Sequence, residues 1–342
     1  MKREIKKGAA IVFVAALFFL PAVSSAVTIL GAGASFPYPL IAKWSYEYNR
    51  LHPDVQISYQ SMGSGGGIKQ ITKRTVDFGA SDAPLTPEER EAAPGLLHIP
   101  ETLGGVVLAY NVPGISGLKL SGDVTAKIFL GQIRYWNDPG IKALNPTLNL
   151  PSKSIIVVHR SDGSGTTFVF SDYLSSVSKD WVSEVGKGKA LSWPVGMGAK
   201  GNEGVSGMVS QLPYSIGYVE LTYALQNEME YATIKNRDGY FVDANTTTIK
   251  SAASAVKLPE GDEDWSDVSI VNAPGKDSYP ISTFSYLLVY EKQSDPAKEK
   301  ILVDFLTWAI HDGQKYAEAL HYVPLPPEVV KLNEETIGMI EL

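Results

Sequence analysis

A chain of 342 residues with 44% hydrophobic content can bury one or two sizeable cores. It has no cysteine, so no disulfide holds it and no thiol carries a lipid at its mature N-terminus. A formal net charge of −7 makes it a poor nucleic-acid binder, and any anion it captures must be held by a local site working against the overall field.

Residues 1–26 read as a secretory signal peptide. Lys2, Arg3, Lys6 and Lys7 form a basic start, an apolar run follows from Ala9 to Leu20, and Ser24, Ser25 and Ala26 supply the small residues of a cleavage site. The run is short for a membrane span, and no later stretch is apolar enough to be one. The expected location is the periplasm. Cleavage after Ala26 removes four bases and one acid, which moves the net charge from −7 to −10.

Strand-like and helix-like patterns then alternate. "VTIL" (27–30) reads as a strand, and Leu40, Ile41, Trp44, Tyr48 and Leu51 recur at helical spacing. "VQISY" (55–59) alternates as a strand before the short helix "GGIKQITKRTV". "DFGASD" (77–82) starts as a buried strand and ends polar. "GGVVLAYNV" (104–112) and "SIIVVHR" (154–160) are apolar strands, and a helix is predicted over 166–178. "IGYVE" (216–220) and "STFSYLLVY" (282–290) are strands, and 298–320 is one or two helices with a break at Gly313. Residues 227–276 are polar and weakly periodic, with a surface hairpin and a helix start over 237–250. This alternation predicts α/β lobes with mostly parallel sheets, and the absence of a Pro/Ser linker predicts lobes joined by strands.

Three stretches share one grammar. "GAGASF", "MGSGGG" and "RSDGSGTT" each follow a strand, hold glycine and a hydroxyl, and open an amphipathic helix. The start of a helix has unpaired N–H groups and partial positive charge, and glycine lets an anion approach that backbone. Taken singly, each loop reads as an ordinary cap and turn. Three at strand-to-helix turns point to an anion site at the C-terminal edges of sheets. The candidate ligands are Ser35 and Phe36 in the first loop, Ser64 in the second, and Ser164, Gly165 and Thr166 in the third.

Two charges refine this. Arg160 ends an apolar strand, where a guanidinium can grip an oxyanion, and Asp162 is placed to hold it; the alternative is a surface ion pair worth little. Asp82 repels a fully ionised anion but accepts a hydrogen bond from one that keeps a proton. Phosphate keeps a proton near neutral pH and sulfate does not, and a site demanding that donor rejects an analogue lacking it by roughly four to five orders of magnitude. The competing role for Asp82 is the N-cap of the helix at "TPEER". The kinase-like "DFG" and "HRSD" occur in reversed order, and no phosphate loop of the GxxxxGK[ST] kind is present. No side chain stands out as an activated nucleophile, and the five histidines show no metal spacing.

The stretches "GAGASFPYPLIAKW", "GSGGGIKQI", "VDFGASDAPL", "GGVVLAYN", "RSDGSGTTFVF", "GNEGV" and "IGYVE" together resemble the periplasmic phosphate-binding proteins of Pst-type ABC transporters. The resemblance runs from about residue 28 to the C-terminal region. It implies a type II periplasmic binding protein fold: two lobes with mixed sheets flanked by helices and a ligand cleft between them. Carried over residue by residue, it implies phosphate held by Ser35, the Phe36 backbone, Ser64, Asp82, Arg160, Ser164, Gly165 and Thr166, with Asp162 orienting Arg160. It divides the chain into lobe 1 (27–110 and 282–342) and lobe 2 (111–281). It implies a non-enzymatic monomer without cofactor that delivers phosphate to permease transmembrane subunits driven by a cytoplasmic ATPase. Receptors for sulfate or molybdate and phosphoryl-transfer enzymes are the alternatives.

Overall fold

The computed structural model describes residues 26–259 and 265–341; the signal segment lies outside them except for Ala26. From the N-terminus the chain runs β1 (Val27–Gly33), α1 (Tyr38–Leu51), β2 (Val55–Ser61), α2 (Ser64–Thr72), β3 (Phe78–Ser81), α3 (Pro87–Ala92) and β4 (Leu96–Asn111). The middle holds β5 (Lys119–Leu120), α4 (Gly122–Phe129), α5 (Pro139–Leu144), β6 (Ile156–Arg160), α6 (Gly165–Val177), α7 (Lys179–Glu184), β7 (Met197–Ala199), α8 (Gly201–Gln211), β8 (Ser215–Glu220) and α9 (Leu221–Gln226). Then come β9 (Glu230–Tyr231), β10 (Thr233–Lys235), β11 (Phe241–Val242), α10 (Thr246–Ser254), β12 (Ser282–Tyr290), α11 (Pro296–Ile310) and α12 (Pro327–Ile337).

The predicted strands form, but the sheet is mixed rather than mostly parallel. Its order is β2-β1-β3-β12-β4-β8-β6-β7. β1 is parallel to β2 and β3, and β6 is parallel to β7 and β8. β12 and β4 run antiparallel to each other, and each is antiparallel to its other neighbour. The reason is topological: β12 returns from the far end of the chain and inserts between β3 and β4, so no helical crossover links it to either.

One strand belongs to both halves of this sheet. β4 pairs with β12 over Leu96–Gly105 and with β8 over Val106–Asn111. The reading that began a strand at Gly104 finds only its second half. Leu96–Leu103 carries Pro100, Glu101 and Thr102, which hide a strand from any hydrophobic pattern, yet almost all of β4 is buried. Helices α1, α2 and α11 pack on the β1–β3 side, and α6 and α8 on the β6–β8 side. The expected break at Gly313 comes earlier: α11 ends at Ile310, and Gly313 lies in a 3-10 turn where its carbonyl accepts from Trp44 Nε1 at 2.8 Å. The expected hairpin and the start of α10 do form, although the first hairpin strand, β10, precedes the 237–250 stretch and only β11 and the start of α10 fall inside it.

Candidate functional site

The candidate residues come from the C-terminal ends of β1, β2, β3 and β6, where α/β sheets present ligand-binding loops. All three loops do open helices, but their hydroxyls behave differently. The Ser164 hydroxyl is the N-cap of α6 and accepts from Thr167 N at 3.0 Å, so the capping reading holds there. α1 and α2 have no side-chain cap, and Ser64 is the first residue of its helix rather than its cap. Ser35 Oγ instead accepts from the backbone N and Nδ2 of Asn202 at 3.0 and 2.9 Å. Ser64 Oγ accepts from Gly165 N at 3.0 Å and Asp82 N at 3.3 Å. With these oxygens filled by N–H groups, the hydroxyl protons of the three serines are the groups left to donate to an anion.

Arg160 and Asp162 form a pair that is neither superficial nor weakly aligned. Arg160 Nε donates to Asp162 Oδ1 at 2.8 Å and Nη2 donates to Oδ2 at 2.5 Å. Their side chains are 1% and 9% exposed, so the surface ion-pair reading fails. Burial pushes Asp162 up, but the two Arg160 contacts outweigh it and hold the carboxyl below its usual range. Asp162 also accepts from Gly201 N. The fork of Arg160 is thus occupied, which leaves Nη1, at 3.3 Å from Thr166 Oγ1, turned toward the candidate site.

Asp82 is not a helix cap. Thr86 caps α3, and Glu89 reciprocates in a capping box. Asp82 is 2% exposed, and burial raises its carboxyl to about 7 against the pull of Arg160. Its oxygens are approached by Thr166 Oγ1 at 3.5 Å and Ser285 Oγ at 3.2 Å.

The loops meet backbone to backbone. Gly65 N donates to Gly163 O at 2.9 Å, and a side chain at Gly65 or Gly163 would meet the other's Cα at 3.2 Å. A Cβ at Gly165 would lie 2.5 Å from Ser64 Oγ and 2.6 Å from Asp82 Oδ2. These glycines therefore serve close approach of one loop to another, a use the sequence reading assigned only to ligand. Ser35, Ser64, Asp82, Arg160, Ser164 and Thr166 are all buried, so the cleft is closed. At its rim Lys189 pairs with Glu89, and Ser61 Oγ donates to Glu203 at 3.1 Å. Phe36 places its ring in the core, and its carbonyl accepts from Tyr322 OH at 2.6 Å. A cavity of about 1210 Å³ is lined by Pro84, Arg90 and Val268 among others, and none of the candidate ligands lines it. A site for one small ion inside a closed cleft needs no large void.

Sequence reasoning missed several participants. Asn202 is fully buried and ties Ser35 to Thr166 Oγ1 (3.3 Å) and to Glu220 N, which donates to Asn202 Oδ1 at 3.0 Å. It lies in "GNEGV", so the stretch was noticed but its asparagine was not. Tyr218 OH accepts from Arg160 N at 3.0 Å and shares a 2.7 Å bond with Thr167 Oγ1. Tyr223 OH donates to Ser35 O at 2.6 Å. His159 stacks on Trp193 with ring centroids 4.8 Å apart, as strand alternation requires if Arg160 faces the cleft.

A family model for the PBP superfamily domain matches residues 21–312. The chain is 48% identical to the phosphate-binding protein PstS of Xylella fastidiosa, over 91% of this chain and 85% of that one. The chain belongs to the PstS family. Within the family it is 47% identical to the Haemophilus influenzae protein of that name (90% and 91% covered) and 42% identical to that of Methanocaldococcus jannaschii (93% and 87%). The fold of the family is also that of a high-affinity periplasmic phosphate-binding protein, PfluDING, solved with phosphate bound: TM-score 0.76, 20% identity, 90% and 93% covered. A phosphate-binding protein from Stenotrophomonas maltophilia gives a TM-score of 0.69 at 19% identity, again with 90% and 93% covered. The two-lobed mixed α/β architecture expected from the sequence is therefore the fold of this chain.

Proposed function

We propose that this protein is a periplasmic receptor that captures inorganic phosphate between its lobes and delivers it to the transmembrane subunits of an ABC permease. The observation that carries the reading is Asp82: a buried carboxylate acceptor set among hydroxyl, backbone and guanidinium donors. Such a set favours a tetrahedral oxyanion that still carries a proton. Ser35, the Phe36 backbone, Ser64 and Asp82 bind from lobe 1, and Arg160, Ser164, Gly165 and Thr166 from lobe 2. Lobe 1 takes residues 27–110 and 282–342 and lobe 2 takes 111–281, with β4 and β12 near the crossover. Phosphate favours closure because only the closed form offers both donor sets.

The protein acts as a monomeric carrier rather than an enzyme. A phosphoryl-transfer enzyme needs a base beside its nucleophile, and the ring nitrogen His159 Nδ1 lies 3.0 Å from the Arg160 carbonyl, with its ring on Trp193. No described helix is long and apolar enough to cross a membrane. The test is calorimetric titration of ligand-stripped mature protein with phosphate, then sulfate, for wild type and Asp82→Asn. The expected result is tight phosphate binding without sulfate heat, and selectivity relaxed in the variant. Wild-type binding of sulfate or molybdate in preference to phosphate overturns the reading.

A further inference from the structure

Behind Asp82 lies a second buried carboxylate that the phosphate contacts do not use. Resting on the reading of Asp82 as acceptor of the ligand's proton, we propose that Glu101 and Ser285 form a specificity device: Glu101 keeps a proton and, through Ser285, holds Asp82 as a charged acceptor. Both are positioning residues, since neither reaches the ligand.

Three geometric observations carry this. First, β4 bulges at Glu101. On β12 Ser285 faces Thr102 and Tyr286 faces Pro100, so Glu101 has no opposite number. Bulges re-aim side chains beside functional sites, and this one turns a glutamate into the protein rather than into the ladder. Gln314 Nε2 fixes the bulge by donating to the Glu101 carbonyl at 3.0 Å. Second, Glu101 is fully buried, and its Oε2 has no hydrogen-bond partner. An ionised carboxylate so placed is costly, whereas a neutral acid leaves only a carbonyl oxygen unpaired.

Third, Ser285 Oγ lies 3.2 Å from Asp82 Oδ1 and 3.0 Å from Glu101 Oε1. A hydroxyl has one proton and cannot donate to two carboxylates at once. One of the two acids must itself donate to Ser285. Asp82 has Arg160 and Thr166 to stabilise its charge, while the charged group that bears on Glu101 is Asp82 itself. The proton therefore sits on Glu101 Oε1 and points to Ser285 Oγ, and the Ser285 proton points to Asp82. The other titratable groups facing the pair are Asp162, Glu220 from the end of β8, Tyr59 from β2, and Tyr322; burial raises the last three, so the two tyrosines stay neutral. Burial likewise lifts Glu101 to about 8, which fits a proton retained at neutral pH.

The arrangement has a consequence for binding. Phosphate adds negative charge in front of Asp82 and so tightens the hold of Glu101 on its proton. Wild-type affinity should then fall by up to about tenfold per pH unit above about pH 8, as the free protein loses a proton that the complex keeps.

The experiment titrates wild type, Glu101→Gln and Ser285→Ala with inorganic phosphate from about pH 6 to about pH 10, with sulfate as competitor. Glu101→Gln keeps a neutral donor of the same shape. It is expected to bind phosphate within about twofold of wild type near pH 7 and to lose the fall at high pH. Ser285→Ala is expected to lower the preference for phosphate over sulfate by about tenfold or more. A tenfold loss in Glu101→Gln near pH 7, or an unchanged fall at high pH, overturns the proposal. Infrared difference spectra of ligand-free wild type and Glu101→Gln decide the proton independently: a carboxylic-acid carbonyl band that disappears in the variant supports it, and no such band overturns it. If wild type fails to bind phosphate at all, the functional reading fails while the infrared result still stands for or against the proton on Glu101.

Discussion

Gly165→Ala sets two physical effects against each other at one position. As the first residue of α6, Gly165 has ordinary negative φ, and alanine is the better helix former by up to about 1 kcal/mol. Local propensity alone therefore predicts a harmless or slightly stabilising change. The added methyl, however, would lie 2.5 Å from Ser64 Oγ, 2.6 Å from Asp82 Oδ2 and 2.7 Å from Asp82 Cβ. Ordinary contact begins near 3.4 Å, so the facing loops must part by about 0.9 Å. The Asp82 Cβ sits next to backbone and cannot swing aside as a flexible tip would. Overpacking of this kind costs about 1–3 kcal/mol, or roughly 5- to 150-fold in phosphate affinity when it falls on the closed state alone. The open state has room, so melting of the ligand-free protein should be little changed. Calorimetric titration beside thermal melts reads both. Gly207→Ala, in α8 with nothing within 4 Å of the new methyl, is the control and should leave affinity intact. Phosphate affinity within twofold of wild type for Gly165→Ala would refute the claim that this contact closes the cleft.

Other consequences follow from the same geometry. Arg160→Ala strips the buried Asp162 of its partner, so it should lower the melting temperature as well as abolish tight phosphate binding; breaking such a pair costs about 3–5 kcal/mol. Asn202→Ala removes the Nδ2 bond to Ser35, keeps the backbone one, and leaves Glu220 N–H unpaired, and a loss of about 1–3 kcal/mol should appear in thermal or denaturant melts. Stability of the ligand-free protein should also depend on pH through Asp82 and Glu101. Their folded values, about 7 and about 8, lie above the unfolded carboxylate range, so the folded state binds more protons. The associated stability is full below about pH 4 and is lost as pH rises through about 8. Melting temperatures of Glu101→Gln minus wild type should therefore grow more positive over that interval.

Much of the site was legible because its chemistry is local. Glycine, serine and threonine cluster in three short stretches, and each stretch follows an apolar run that announces a strand. Arg160 and Asp162 are two residues apart, so their pairing was also within reach. What escaped depends on contacts between distant parts of the chain. Asn202 meets Ser35 across 167 positions, and Ser285 meets Asp82 across 203. No spacing rule reaches that far. The first half of β4 escaped for another reason: its proline, glutamate and threonine are buried polar or strand-breaking residues, and only the bulge and the neighbouring β12 make a strand there favourable. The parallel-sheet expectation failed through the same strand, because nothing in "STFSYLLVY" says which neighbours it will take.

The insertion of β12 between β3 and β4 has a consequence for how the chain folds. Everything needed to assemble β6, β7, β8 and the second half of β4 lies within one continuous stretch ending at Glu220. The other half of the sheet has a gap that only residues 282–290 can fill. Until they arrive, β3 and the early part of β4 expose bare edges, and the pairing of Ser81 with Tyr286 must close a loop of some two hundred residues. Folding of the half that carries Ser35, Ser64 and Asp82 should thus be the slow event, and the Glu101 bulge is completed only by the last strand to enter the sheet.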